Sequence, residues 1–403
     1  MGKRPGLTAV PLRGAFAVPG ALPGLPRPEP AVRKGRGTAT GQRAPAGPGP
    51  PAPNPRHHPE AGGGGFVAAE RRIRVAIIGY GMGHYHAERV RATPDLELAA
   101  VCDMVPARAE QATRDFPGVE GMTDTTAVLA RPDIDLVVVA VPHNAHADLS
   151  IAASRAGKHV VVEKPMCITA AEATAMIVAA REAGRMLTVH HNRRWDGDYR
   201  ALREAVAAGL IGDVYHVEMF GGGYHHPGQT WRADKAASGG ALYDWGAHYV
   251  DWLLGLVGSP VRSVTGHSRK LRWFDATNED DVQCWIDFES GVTAHVQMSN
   301  LARVGRSRWR VLGTLGGIED AGGRQFRVAT EAKGYAATVM VPHHQDTWQR
   351  FYDNVAAHLV RGEPLAVPPE EARRVIAVIE ATDRSVEARN VPVPVPFEDA
   401  GKA

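Results

Sequence analysis

Lys164 lies in the triplet Glu163-Lys164-Pro165, and Val160 to Glu163 reads as a buried strand, so the lysine stands at a strand end. In open α/β sheets that edge is where ligands bind. A lysine there is costly to desolvate unless a carboxylate, hydroxyl or carbonyl partners it, and the proline fixes the backbone just beyond. A lone lysine in a turn is ordinarily a surface residue, so the triplet gains meaning only beside a second group. Asp244 and His248 supply one: spaced i, i+4, they share a helical face, with Asp251 a turn further on. Histidine moves protons near neutral pH, and a carboxylate one turn away orients it or stabilises its charged form. Taken alone, such a pair is more often a structural histidine beside a solvated acid. Asp244, His248, His225 and His226 are also metal-ligand types. No cysteine joins them and a lysine–histidine site needs no metal, so none is expected.

A third constellation is the turn Gly79-Tyr80-Gly81-Met82-Gly83-His84. Gly79 allows a tight strand-to-helix turn, and Gly81 lets the amides around Met82 approach a pyrophosphate at a helix N-terminus. The usual third glycine falls at His84, with Gly83 one place early. A glycine pattern alone is weak evidence. Here it follows a strand-like run and opens a helical one. Asp103 ends the next strand, 20 residues beyond Gly83, where an acid can bind both ribose hydroxyls. A carboxylate there repels the 2′-phosphate of NADP, so NAD is the expected cofactor, with NADP possible. Without a ligand, Asp103 would be a helix N-cap.

These residues must be held by a regular frame. Strand patterns at Ile73–Ile78, Leu96–Cys102, Val119–Met122, Leu136–Val141, Val160–Glu163 and Met186–His191 alternate with helical ones, which implies a parallel, doubly wound sheet. After about Asn192 the pattern changes. Helices are expected over Tyr199–Ala208, Ala241–Leu256, Asp346–Leu359 and Pro369–Ala388. Strands are expected at Val214–Phe220, Val261–His267, Val282–Phe288, Thr293–Met298, Trp309–Gly313 and Thr338–Val341. Several alternate apolar with polar residues, as in an antiparallel sheet open on one side. The organisation is therefore α/β: a dinucleotide-type domain over 71–192 and an α+β domain over 193–396.

The first sixty of the 403 residues hold 14 of the 29 prolines and nine Lys or Arg against two Glu. With so few large apolar side chains, residues 1–70 are read as a disordered head. Proline and glycine break its apolar runs, which argues against a signal peptide. Its arginine content leaves a transit peptide as a weaker alternative, and an over-early start codon as another. The whole chain carries a formal charge of only +2, which excludes a strongly basic nucleic-acid binder. No apolar stretch is long enough to span a membrane. Three well-separated cysteines suit a reducing cytoplasm.

In combination these motifs resemble the Gfo/Idh/MocA family, the glucose–fructose oxidoreductase and inositol dehydrogenase relatives. The likeness covers about residues 72–396. It rests on Gly79–His86, Pro142-His143-Asn144-Ala145-His146, Glu163-Lys164-Pro165, Asn192-Arg193-Arg194-Trp195 and Gly239–Asp251, in that order. The resemblance implies a Rossmann domain followed by a largely antiparallel open sheet that pairs copies into a homodimer or homotetramer. It implies NAD(P)-dependent oxidation of a secondary alcohol of a sugar, cyclitol or polyol. By the same resemblance Lys164 is the catalytic lysine, His248 the proton acceptor, and Asp244 orients His248 or binds substrate hydroxyls. Pro142, Asn144, His146, Glu163 and Lys164 would line the cofactor, and Arg194, Trp231 and Arg232 the substrate. Two departures stand out: His84 replaces the third glycine, and the spacing to His86 is one residue short. Two other readings exist. One is a redox-neutral relative, of glycosidase or epimerase type, that oxidises and re-reduces within one cycle. The other is a non-catalytic dinucleotide-sensing regulator, which the presence of both Lys164 and His248 disfavours.

Overall fold

The computed structural model describes residues 71–397, so the expected disordered head lies outside the described residues. The first sheet holds β1 (Ile73–Ile78), β2 (Leu96–Cys102), β3 (Glu120–Met122), β4 (Leu136–Val139), β5 (His159–Val162) and β6 (Leu187–Val189). Its order is β3-β2-β1-β4-β5-β6 and every neighbouring pair is parallel. Both faces of the central strands are covered, which is why their sequences are unbroken β-branched runs. The order reverses between β1 and β4, the switch point where such sheets open a crevice.

The second sheet has nine strands: β7 (Val214–Gly222), β8 (Val261–Arg269), β9 (Asp281–Phe288), β10 (Thr293–Ser299), β11 (Trp309–Gly313), β12 (Gly316–Asp320), β13 (Gln325–Ala332), β14 (Tyr335–Pro342) and β15 (Val393–Pro394). It is antiparallel except where β7 and β10 run together. The helices are α1 (Gly83–Arg91), α2 (Pro106–Asp115), α3 (Thr125–Ala130), α4 (His146–Arg155), α5 (Ala170–Glu182), α6 (Gly197–Ala207), α7 (Lys235–Ser238), α8 (Ala247–Val257), α9 (Arg350–Arg361) and α10 (Pro369–Glu387). The expected parallel sheet and mostly antiparallel open sheet are both present. Sequence pattern overlooked α3, α7, β12, β13 and β15. β12 and β13 flank turns rich in glycine and charge, where apolar alternation is weak.

Two apolar cores result, one under each sheet. α10 belongs to both: Ala372 and Ile376 enter the first, Val375, Val378 and Ile379 the second. α9, also from the far end of the chain, seats Phe351, Tyr352 and Val355 in the first core. On the second sheet one face buries Val217, Cys284, Ile286 and Val296. The other presents Gln283 and an exposed Trp285 stacked 4.1 Å from the ring of His295.

Strand register places the chemistry. Ile78 pairs with both Cys102 and Val139, and Val162 pairs with Val139 and Val189. The next residues, Gly79, Asp103, Ala140, Glu163 and His190, therefore emerge together at one sheet edge. Gly79 is held there at φ +95°, and a Cβ on it would lie 2.3 Å from the Ala140 carbonyl oxygen. A Cβ on Gly81 would meet open space. Gly79→Ala should accordingly destabilise the protein by about 3 kcal/mol or more, and Gly81→Ala by no more than about 0.5 kcal/mol. Urea unfolding of the two variants side by side checks this; equal effects would contradict it.

Candidate active site

At the switch point α1 begins directly after the glycine turn, and the amides of His84, Tyr85 and His86 bond back to the Tyr80 and Met82 carbonyls. Gly81 and Met82 are exposed, and no side chain fills the space over Gly81. Asp103 closes the crevice. Its carboxylate accepts from Tyr80 N (2.8 Å) and Val105 N (2.9 Å), which ties the glycine turn to the end of β2. An open backbone cradle at a helix start, with an acid at the tip of β2, fits a dinucleotide. His84 does not obstruct it: the half-exposed ring turns toward α2, 3.0 Å from the Tyr80 hydroxyl and 3.4 Å from Asp115. Gly83 takes over close helix–strand packing, since a Cβ there would lie 2.9 Å from Ile77 Cγ2.

Glu163 is buried. Its Oε1 accepts from His86 Nε2 (3.0 Å) and His190 Nδ1 (2.6 Å), and its Oε2 from the Lys164 amide (3.0 Å). Burial alone would raise its pKa, but the imidazole partners hold it well below the ordinary carboxylate value. An ionised carboxylate only accepts, so both imidazoles donate to it. His86 Nδ1 then accepts from the Tyr352 hydroxyl of α9 at 2.6 Å. The three groups His86, Glu163 and His190 have metal-ligand spacing, but this donor–acceptor pattern already satisfies the carboxylate. His146, also fully buried, sits between the carbonyls of Pro165 (2.8 Å) and Val141 (3.0 Å). It braces the backbone after the lysine, which is joined to Pro165 by a cis peptide bond. Glu163 and His146 thus hold the site from behind, whereas Pro142 is half-buried and Asn144 exposed at the end of β4.

With its backbone fixed, Lys164 reaches across to the segment between β7 and β8. Nζ donates to Asp244 Oδ1 at 2.6 Å and lies 3.4 Å from the Asp244 carbonyl. Asp244 lies in a wide, π-type turn, Leu242–Gly246, that leads into α8; the sequence had suggested one continuous helix. Burial would raise the Asp244 pKa, but Lys164, and then Arg232, keep it below the usual value. His248, one turn on, is buried against the rings of Trp245 (5.6 Å), His191 (5.9 Å) and Trp252 (6.1 Å), and its Nδ1 has no partner. Burial, reinforced by the Lys164 charge, pushes its pKa well below 6.5, so the ring is neutral near pH 7.

Beside Asp244 opens a cavity of about 430 Å³ lined by residues including Arg232, Trp245, Tyr249, Asn300 and Arg308. Trp231 meets the ring of His143 at 4.7 Å, and His143 Nδ1 lies 2.8 Å from the Ser238 carbonyl. Arg194 goes elsewhere. It binds Asp251 (2.6 Å) and Glu371 (2.6 Å) behind α8, in a different cavity. Its neighbour Arg193 lies between the rings of Trp348 (4.4 Å) and Trp245 (5.3 Å). A short 3₁₀ turn, Asn192–Trp195, sends the two side chains apart, so Arg194 lies away from the cavity beside Asp244. Trp245 and His143 lay inside the quoted motifs but were passed over. Asn300 had no sequence signal, since only sheet register brings it to the cavity.

Two outcomes test this electrostatic arrangement. Glu163→Gln should destabilise by about 2–4 kcal/mol, because one of the donors now facing the amide is left unpaired. Lysine-dependent activity should fall with it, and a variant as stable as wild type in urea would refute the account. Eight histidines, among them His143, His146, His190, His191 and His248, have pKa values lowered by burial. The unfolded chain therefore binds more protons as pH falls from 6.5 toward 4. Asp196 and Asp383, pushed up to about 6 by burial, oppose this with only two groups. The melting temperature should drop between pH 6.5 and 4.5, before ordinary carboxylates titrate. A flat profile over that window would show that these rings are not buried neutral.

Comparison with known proteins agrees with this geometry. The profile described as "Oxidoreductase family, NAD-binding Rossmann fold" matches residues 73–191, and the GFO/IDH/MocA C-terminal domain profile matches residues 199–319. A scyllo-inositol 2-dehydrogenase (NADP(+)) of Bacillus subtilis is 28% identical over 347 residues, spanning 79% of this chain and 95% of that one. The scyllo-inositol 2-dehydrogenase (NAD(+)) of the same organism is 31% identical over 255 residues, spanning 62% and 74%. Among solved structures, an NAD-binding protein from Listeria innocua superposes with a TM-score of 0.73 at 31% identity, covering 81% of this chain and 97% of that one. The parallel sheet, its glycine crevice and the two matched regions lead to one assignment: the chain belongs to the GFO/IDH/MocA family of NAD(P)-dependent oxidoreductases.

Proposed function

We propose that the protein oxidises a secondary alcohol of a sugar, cyclitol or related polyol, with Lys164 and His248 as the catalytic pair. The observation that carries this reading is the 2.6 Å contact between Lys164 and Asp244 at the sheet edge, with a buried neutral His248 one turn beyond. The inositol dehydrogenases among its relatives support the substrate class. Asp103 supports NAD over NADP, because its carboxylate would repel a 2′-phosphate.

The bound dinucleotide supplies the acceptor for the hydride that leaves the alcohol carbon. Lys164, aimed by Asp244, binds the alcohol oxygen and stabilises the charge that develops there. His248, uncharged at neutral pH, takes the hydroxyl proton. Asp244 stays ionised and offers its remaining lone pairs to Lys164 or a substrate hydroxyl. Trp245 and Trp231 wall the ring face of the substrate and exclude water. Glu163 and His146 act through the backbone of Lys164 as positioning residues. The open outer face of the second sheet, with Trp285 and His295, suits pairing of copies into a homo-oligomer. Three buried free cysteines suit a reducing cytoplasm. Among the described residues no helix is long and apolar enough to cross a membrane.

The test is NADH formation from NAD over a panel of cyclitols, aldoses and sugar acids, with NADP as control. Lys164→Met and His248→Asn should each lower kcat by about 10²–10⁴-fold with the fold intact. The acid limb of kcat/KM should lie below pH 6.5, the direction set by burial of His248, and should vanish in His248→Asn. Net NADH that is insensitive to Lys164, or product without net NADH, would overturn the dehydrogenase reading.

A further inference from the structure

The cavity beside Asp244 does not balance its charges. Two acids line it, and both are engaged: Asp244 by Lys164, and Asp280 by Lys270 (3.1 Å) and the amides of Leu271, Arg272 and Trp273. Of its two arginines, Arg308 is paired with Asp198 at 3.1 Å. The other, Arg232, makes no ion pair among the described residues. Its guanidinium lies 4.4 Å over the Trp231 ring, and its backbone carbonyl accepts from Asn278 Nδ2 at 2.6 Å. Ring and hydrogen bond hold this residue at the cavity wall.

The surroundings repeat the sign. Arg272 and Arg303 stack on Tyr224 and Trp273 rather than on carboxylates, and Trp273 Nε1 donates to the carbonyl of the cavity residue Asn300. Neither arginine has an ion-pair partner among the described residues. Lys164 already holds the Asp244 carboxylate, so a neutral polyol leaves Arg232, which acts on Asp244 only from beyond ion-pair distance, without a hydrogen-bonded anion. A carboxylate completes it, because a planar guanidinium takes a carboxylate in two parallel hydrogen bonds. One free fork matches one carboxylate, and the volume admits a single six-carbon ring.

We propose that the substrate is a sugar acid, a polyol bearing a carboxylate that Arg232 binds while Lys164 and His248 act on a hydroxyl. This rests on the dehydrogenase reading above and narrows it. Arg272 and Arg303 steer the anion to the mouth of the cavity.

The experiment is titration calorimetry on the NAD-saturated full-length protein with matched pairs: D-glucuronate against D-glucose, and D-galacturonate against D-galactose. At least one acid should bind tenfold or more tightly than its neutral partner. Arg232→Gln should close that gap by weakening the acid alone, with an unchanged melting temperature. Equal or tighter binding of the neutral sugars, a gap that survives Arg232→Gln, or no acid bound at all would each overturn the proposal. The two readings fail separately. An acid held through Arg232 without NADH formation sinks the dehydrogenase and leaves the carboxylate site standing. NADH from neutral polyols with an indifferent Arg232→Gln does the reverse.

Discussion

Glu163 carries a negative charge inside the protein, where an unpaired carboxylate would be prohibitive. Meeting that demand organises the site. The donors are the Lys164 amide, His86 from α1 and His190 from the end of β6, with His86 held in turn by Tyr352 of α9. One carboxylate therefore ties the sheet edge to the helix after the glycine turn and to a helix hundreds of residues later in the chain. Because it also takes the amide of Lys164, it fixes where that side chain starts. On the other side the His146 ring lies between the Pro165 and Val141 carbonyls, and while neutral it donates to one of the two. The lysine leaves this framework with its direction set, and the π-type turn at Asp244 receives it.

The charges then fall into an order that suits proton and hydride chemistry. Lys164 stays beside an ionised Asp244, whereas His248 is kept neutral by burial and by that same lysine. A cation that steadies a developing alkoxide and a base that is uncharged at working pH need opposite environments within one helical turn. The chain achieves this by giving Lys164 a carboxylate and giving His248 only rings. Behind α8, Asp251 is saturated by Arg194, with His191 3.9 Å away, so its charge serves the structure rather than His248.

Much of this was readable in the sequence where the signal is local. The Glu163-Lys164-Pro165 triplet, the Asp244/His248 spacing and the glycine turn were all found, because each lies on one strand end or one helix turn. The parallel strands were plain from their β-branched runs. What escaped depends on long-range register. Asn300 and Arg308 reach the cavity only because β10 pairs with β7 and β11 packs on its other side. Arg193 and Arg194 are neighbours whose directions are set by a 3₁₀ turn that no pattern announces. Glu163 and His146 were expected against the cofactor. Their hydrogen-bond partners, His86, His190 and the Pro165 carbonyl, come from elements that sequence spacing does not connect.

The shortened glycine turn shows how the fold absorbs a departure from the usual spacing. A residue lost inside α1 would rotate everything after it by about 100° and swing His86 out of the core. Here the loss falls before the helix. Gly83 and His86 are three apart, so they stay on one face, toward the sheet. Gly83 therefore packs on Ile77, and His86 still reaches Glu163. His84, displaced to the neighbouring face, is free to bridge toward Asp115. The turn itself pays for the change, but Gly79 keeps its close crossing of Ala140 and Gly81 its open side. The helix start that would receive a pyrophosphate and the network that aims Lys164 are thus set by the same face of α1, and a shorter turn leaves both in place.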